Sequence, residues 1–119
     1  MNRLVSAFVN SCRAFGRLAA TEQAFQQELI VLLLAFPAGW FLSSSWQHYA
    51  LLIGAVLLLI VVEVLNTGIE AVCDAVSREF NADIQLSKDC GSLAVLISVV
   101  MAAAVWGLAL VEWVLGTAI

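Results

Sequence analysis

Three apolar runs constrain this chain more than anything else in it. The first is LIVLLLAFPAGWFL, Leu29 to Leu42; the second extends from Trp46 to Val62 and the third from Cys90 to Leu115. A helix needs ~20 mostly apolar residues to cross a bilayer. The first run reaches that length only by borrowing from AFQQE before it or SSSW after it, and it contains Pro37, a residue that can kink it. The second is expected to continue as helix to about Ser77, and the third carries Trp106 and Trp113 as candidate interfacial anchors. Hydrophobic residues make up 63% of the 119 residues and charged residues only 12%. A soluble domain of this size could not hide so much apolar surface. The expectation is an all-α membrane protein with spans at about 27–45, about 46–77 including a cytoplasmic extension, and about 87–115.

The segment ahead of the first span, about 4–22, reads as an amphipathic surface helix. Leu4, Phe8, Cys12, Phe15 and Leu18 or Ala19 recur at helical spacing, while Arg3, Arg13, Arg17 and Glu22 fall on more polar parts of the same helix. A plain lipid anchor would account for this pattern by itself. The segment has no apolar core of signal-peptide type, so no cleavage is expected there. Basic residues set the orientation. Arg3, Arg13 and Arg17 precede the first span, and Arg78 and Lys88 lie between the second and third. With three spans these two regions share one side, which the positive-inside rule makes cytoplasmic. His48 and the carboxyl terminus then face outward. A net charge of −4 argues against nucleic acid as a partner. The three cysteines, Cys12, Cys73 and Cys90, are far apart and lack metal-ligand spacing, so they read as packing thiols.

The second apolar run ends in EVLNTGIEAVCDA, Glu63 to Ala75. At ~100° per residue Glu63, Glu70 and Asp74 fall within about 40° of one another, with Asn66 about 60° to one side and Thr67 about 40° to the other. Carboxylates inside a bilayer are expensive and face protein or water. Glu63 lies about 10 Å deeper than Glu70 along the helix axis. A deep, desolvated carboxylate is the setting for a general base. Glu70 lies near headgroup level, within reach of a hydrated metal and phosphates. That division suits a lipid hydroxyl attacking a phosphoryl donor from the cytoplasm. A hydrogen-bonded helix contact and an ion or proton relay are the competing readings.

Phosphate chemistry also needs cations or amide donors. SKDCGS, Ser87 to Ser92, offers Lys88 at an expected helix start, with Gly91 allowing close backbone approach. A simple loop-to-helix cap would look the same. The chain has no GxxxxGK[ST] and no GxGxxG, which excludes a nucleotide site of the P-loop or protein-kinase kind.

Taken together, EVLNTGIEAVCD and KDCGSLAVLI, with TEQAFQQE upstream, resemble the bacterial integral-membrane diacylglycerol kinase family from about Phe8 to Trp113. The resemblance implies one membrane kinase domain over 1–119, a homotrimer, and MgATP-dependent phosphorylation of diacylglycerol to phosphatidic acid at the cytoplasmic face of the inner membrane. It implies Glu63 as proton acceptor and Glu22 and Glu70 as metal-binding carboxylates. Asn66, Glu70, Lys88 and Asp89 match residues around the nucleotide, and Arg3, Asn10 and the stretch from Glu79 to Asn81 match nucleotide contacts more loosely. Ala24, Phe25, Glu28, Glu63 and Ser92 match residues near the lipid. Family members often have Gly-Tyr where this chain has Val9-Asn10, and a histidine where it has Asn81. The sister undecaprenol kinases share the architecture, but their third span usually opens with KDxAAGAV-like text, whereas Gly91-Ser92 here matches the diacylglycerol branch. Three helices leave little room to enclose a lipid hydroxyl and a triphosphate, so sites shared between protomers are expected.

Overall fold

A computed structural model describes residues 2–116. It contains four helices: α1 (Arg3–Thr21), α2 (Gln23–Leu42), α3 (Trp46–Val76) and α4 (Ala82–Leu115). No strand occurs among the described residues. The last three helices are long and apolar enough to cross a membrane, and the shorter α1 precedes them. The carboxyl end beyond Gly116, for which an outward location is expected, lies outside the described residues.

Lengths matter for where polar groups end up. At ~1.5 Å per residue, the 31 residues of α3 span about 46 Å and the 34 of α4 about 51 Å, well beyond the ~30 Å hydrocarbon core. Both helices are therefore longer than the hydrocarbon core is thick. Local signals place their ends. The Ser45 hydroxyl accepts from the His48 amide at the start of α3, and the Asn81 carboxamide accepts from the Asp83 and Ile84 amides at the start of α4. At the far end of α4 Gly116 adopts a left-handed conformation (φ 68°), which glycine tolerates without a Cβ clash. Pro37 does not interrupt α2, and the Tyr49 hydroxyl donates to the Phe36 carbonyl beside it at 3.0 Å.

A single extended residue, Glu22 (φ −104°, ψ 111°), separates α1 from α2. The Gln26 side chain donates back to the Ala19 carbonyl at 2.8 Å, and Phe15 meets Phe25 edge to face at 5.6 Å. These contacts fix the turn. No residue of α1 is buried, and Leu4 and Phe8 are 77% and 70% exposed. In a bilayer interface that apolar face is covered by lipid.

Helix α3 is the central element, with α2 and α4 antiparallel on either side of it and touching each other little. The buried core consists of Ala35, Ile53 and Val56, ringed by Leu32, Tyr49, Ile60 and Trp106. Leu52 is fully buried. Trp106 does not act as the interfacial anchor expected of it. Its indole N–H donates to the Leu52 carbonyl at 3.0 Å, because a half-buried donor in an apolar setting needs an acceptor. Trp113 remains exposed. A Cβ on Gly39 would lie 3.2 Å from the Tyr49 ring and 3.4 Å from Trp106, so the small residue lets α2 seat on both aromatics.

Candidate active site

The polar stripe on α3 does not face one uniform environment. Asn66 is buried, while Glu63 is half-buried and Glu70 exposed. Asn66 is buried because α4 approaches it at Gly91, itself buried. A Cβ at Gly91 would collide with Asn66 Oδ1 and sit 3.1 Å from its Cγ. Asn66 Nδ2 donates to Glu70 Oε1 at 3.3 Å. Its Oδ1 is buried with no hydrogen-bond partner. The Thr67 hydroxyl donates back to the Glu63 carbonyl at 3.0 Å and is thereby used within the helix.

Carboxylates from three places gather around this stripe. Glu63 lies within electrostatic range of Glu70 and of Glu22 at the α1–α2 turn. Glu28, on α2, feels Glu63 in turn. One Glu28 oxygen, Oε1, is buried and unpartnered. A buried polar atom without a partner is costly and calls for a ligand or water. The cation expected here points elsewhere: Lys88 Nζ lies 3.0 Å from Asp74 Oδ1.

The structure also corrects the expected setting of Lys88. The helix begins at Ala82, capped by Asn81, so Lys88 stands well inside α4 and the SKDCGS amides are not at a helix terminus. The cap was readable in principle, since Asn followed by Ala-Asp is a good helix start. Gly91 is needed for Asn66 rather than for an anion. Asp74 was visible as a stripe member, but its pairing with Lys88 depends on how α3 and α4 are aligned.

Other residues of interest lie away from this cluster. Arg3 and Asn10 are exposed on α1, and the Asn10 carboxamide accepts from Arg13 at 3.5 Å. Glu79 is exposed in the α3–α4 connection, and the Asn81 side chain is occupied as a cap. Ala24, Asp89 and Ser92 are exposed, while Phe25 is buried against Phe15. One chain thus brings together Glu22, Glu28, Glu63, Asn66 and Glu70. Among the described residues, Arg3, Asn10, Asp89 and Ser92 make no hydrogen bond or ion pair to them.

Fold and site together define a small multi-pass membrane protein with an under-neutralised carboxylate cluster toward one end of its helices. The sequence matches the prokaryotic diacylglycerol kinase family over residues 9–110. It is 36% identical over 104 residues to a diacylglycerol kinase of Escherichia coli K12, covering 87% of this chain and 85% of that one. It is 31% identical over 106 residues to a diacylglycerol kinase of Pseudomonas aeruginosa, covering 89% and 86%. A diacylglycerol kinase of Haemophilus influenzae is 28% identical over 107 residues, covering 90% and 91%. The chain belongs to the prokaryotic diacylglycerol kinase family, and with its three apolar helices it is a bacterial membrane protein.

Proposed function

We propose that this protein transfers the γ-phosphoryl group of ATP to diacylglycerol, giving phosphatidic acid at the cytoplasmic face of the inner membrane. The observation that carries this reading is the Asn66–Glu70 hydrogen bond beside half-buried Glu63, with Asn66 Oδ1 and Glu28 Oε1 buried and unpartnered, in a chain of this family. ATP approaches from the cytoplasm, near Glu70, Lys88 and Asp89, with Arg3, Asn10, Glu79 and Asn81 at the periphery. Diacylglycerol enters from the bilayer past Ala24, Phe25, Glu28 and Ser92. Its primary hydroxyl oxygen bonds to the γ-phosphorus as the bond to the ADP oxygen breaks. Glu63, deeper than Glu70, accepts the hydroxyl proton. Asn66 holds Glu70 in place. Positioning and charge stabilisation do most of the work, as in phosphoryl transfer generally.

Mg²⁺ fits the donor set. Among the described residues no group of three or more metal-ligating side chains is close enough to hold an ion unaided. Glu22 and Glu70 would supply two hard oxygen ligands, and Mg²⁺ commonly takes the rest of its octahedral shell from water and phosphates. When bound, it would neutralise charge on the transferred group.

The family resemblance implies a homotrimer, and the half-open carboxylate cluster of a single chain supports sites shared between protomers. Glu63→Gln and Glu22→Gln protomers, mixed before reassembly, should then recover a fraction of activity. Inactivity of confirmed mixed oligomers at every ratio would place a full site in each chain. Orientation is checked by labelling: a cysteine at Ser44 should react with an impermeant reagent outside intact cells, and one at Asn81 should not. The activity itself is tested by offering diacylglycerol and undecaprenol separately to purified protein with MgATP. Phosphate should appear on diacylglycerol. Transfer to undecaprenol alone, or to neither, overturns the reading.

A further inference from the structure

Asp74 lies four residues beyond Glu70 on the same stripe of α3, and the proposed reaction leaves it without a task. Its Oδ1 holds Lys88 Nζ at 3.0 Å, and the two side chains are 41% and 42% exposed. A pair open to solvent to this degree adds little to the stability of a fold. The local charge explains more. Glu70 stands one turn back from Asp74 on the same face of α3, so the two carboxylates are neighbours on the helix surface. An ammonium on a flexible four-carbon stem can swing between two such carboxylates. If it moved to Glu70, it would occupy a carboxylate that the proposed site needs for Mg²⁺. One bond to Asp74 uses one of the three ammonium donors and leaves two for phosphate oxygens.

We infer that Asp74 is a positioning residue that holds Lys88 away from Glu70, keeping the metal-binding carboxylate free and the ammonium directed at the incoming phosphates. The inference rests on the roles proposed above for Glu70 and Lys88. It predicts a defect in metal-nucleotide binding that passes entirely through Lys88.

The test is the dissociation constant of Mg·AMP-PNP, measured by calorimetry on the full-length protein, together with the Mg²⁺ concentration giving half-maximal turnover. Asp74→Asn should raise both by about tenfold, the scale of one charge-assisted hydrogen bond. The KM for diacylglycerol and the unfolding temperature should stay near wild type. Asp74→Glu, which keeps the charge, should bind within about twofold of wild type on that same scale. In a Lys88→Met background, Asp74→Asn should have no further effect, because no ammonium then competes for Glu70. Asp74→Ser serves the same comparison if the asparagine variant does not fold. Wild-type binding in Asp74→Asn, or a defect that persists undiminished in Lys88→Met, would overturn the inference and leave the kinase reading standing. Unchanged binding in Lys88→Met alone would instead overturn the role proposed for Lys88, and the inference with it.

Discussion

In its first half, α3 meets its neighbours through Leu52, Ile53 and Val56, all buried, and the Leu52 carbonyl takes a bond from Trp106. In its second half the same helix presents Glu63, Asn66 and Glu70, and the buried Asn66 Oδ1 has no partner. Both halves pack against α4, yet only the first is satisfied by the chain itself. The difference is chemical. Apolar side chains need only contact, and Trp106 has a single donor to place. The carboxylates need polar or charged partners, and Lys88, the single lysine of the chain, is held by Asp74. A helix finished at one end and left wanting at the other suits a membrane enzyme: rigidity where the helices pack and unpaired polar groups where a site can form.

The largest break in this comparison should come from the carboxylates. Glu63→Gln should cut turnover by about 10²–10⁴-fold, the usual worth of a general base, while MgATP still binds. Glu70→Gln should weaken MgATP binding itself. Equal loss of nucleotide binding in both variants would remove the distinction between base and metal ligand. Thermal unfolding in one detergent then compares two glycines of α4. Gly91→Ala drives a methyl group into Asn66 and should cost about 1–3 kcal/mol, with activity falling as Asn66 is displaced. Gly107→Ala meets nothing within 4 Å and should stay within about 0.5 kcal/mol of wild type. Matching losses would mean that the close approach at Gly91 is not what sets its size. The smallest effect belongs to the satisfied half. Trp106→Phe removes the donor to Leu52 and should cost about 1 kcal/mol of stability, with kcat per folded molecule unchanged. A fall in kcat there would show that the two halves are coupled.

The sequence by itself determined the class of structure and the place of the polar stripe on α3. Membrane spans, the amphipathic α1 and the acidic stripe are legible because each depends on local composition and on the fixed period of a helix. The resemblance carried by EVLNTGIEAVCD and KDCGSLAVLI led to the family for the same reason, since those motifs are contiguous. Tertiary structure decided which groups meet. The antiparallel register of α3 and α4 sets Leu52 against Trp106, Asn66 against Gly91 and Cys73 against Ile84. That register depends on side-chain packing summed over both helices, and no window of sequence contains it. It turns Trp106 from a membrane anchor into a clamp and gives Gly91 to Asn66. It also takes Lys88 from an expected helix start and places it on Asp74. A charge stripe read along one helix tells where polar partners are needed, but which partner answers depends on a second helix whose alignment is settled only when the two pack.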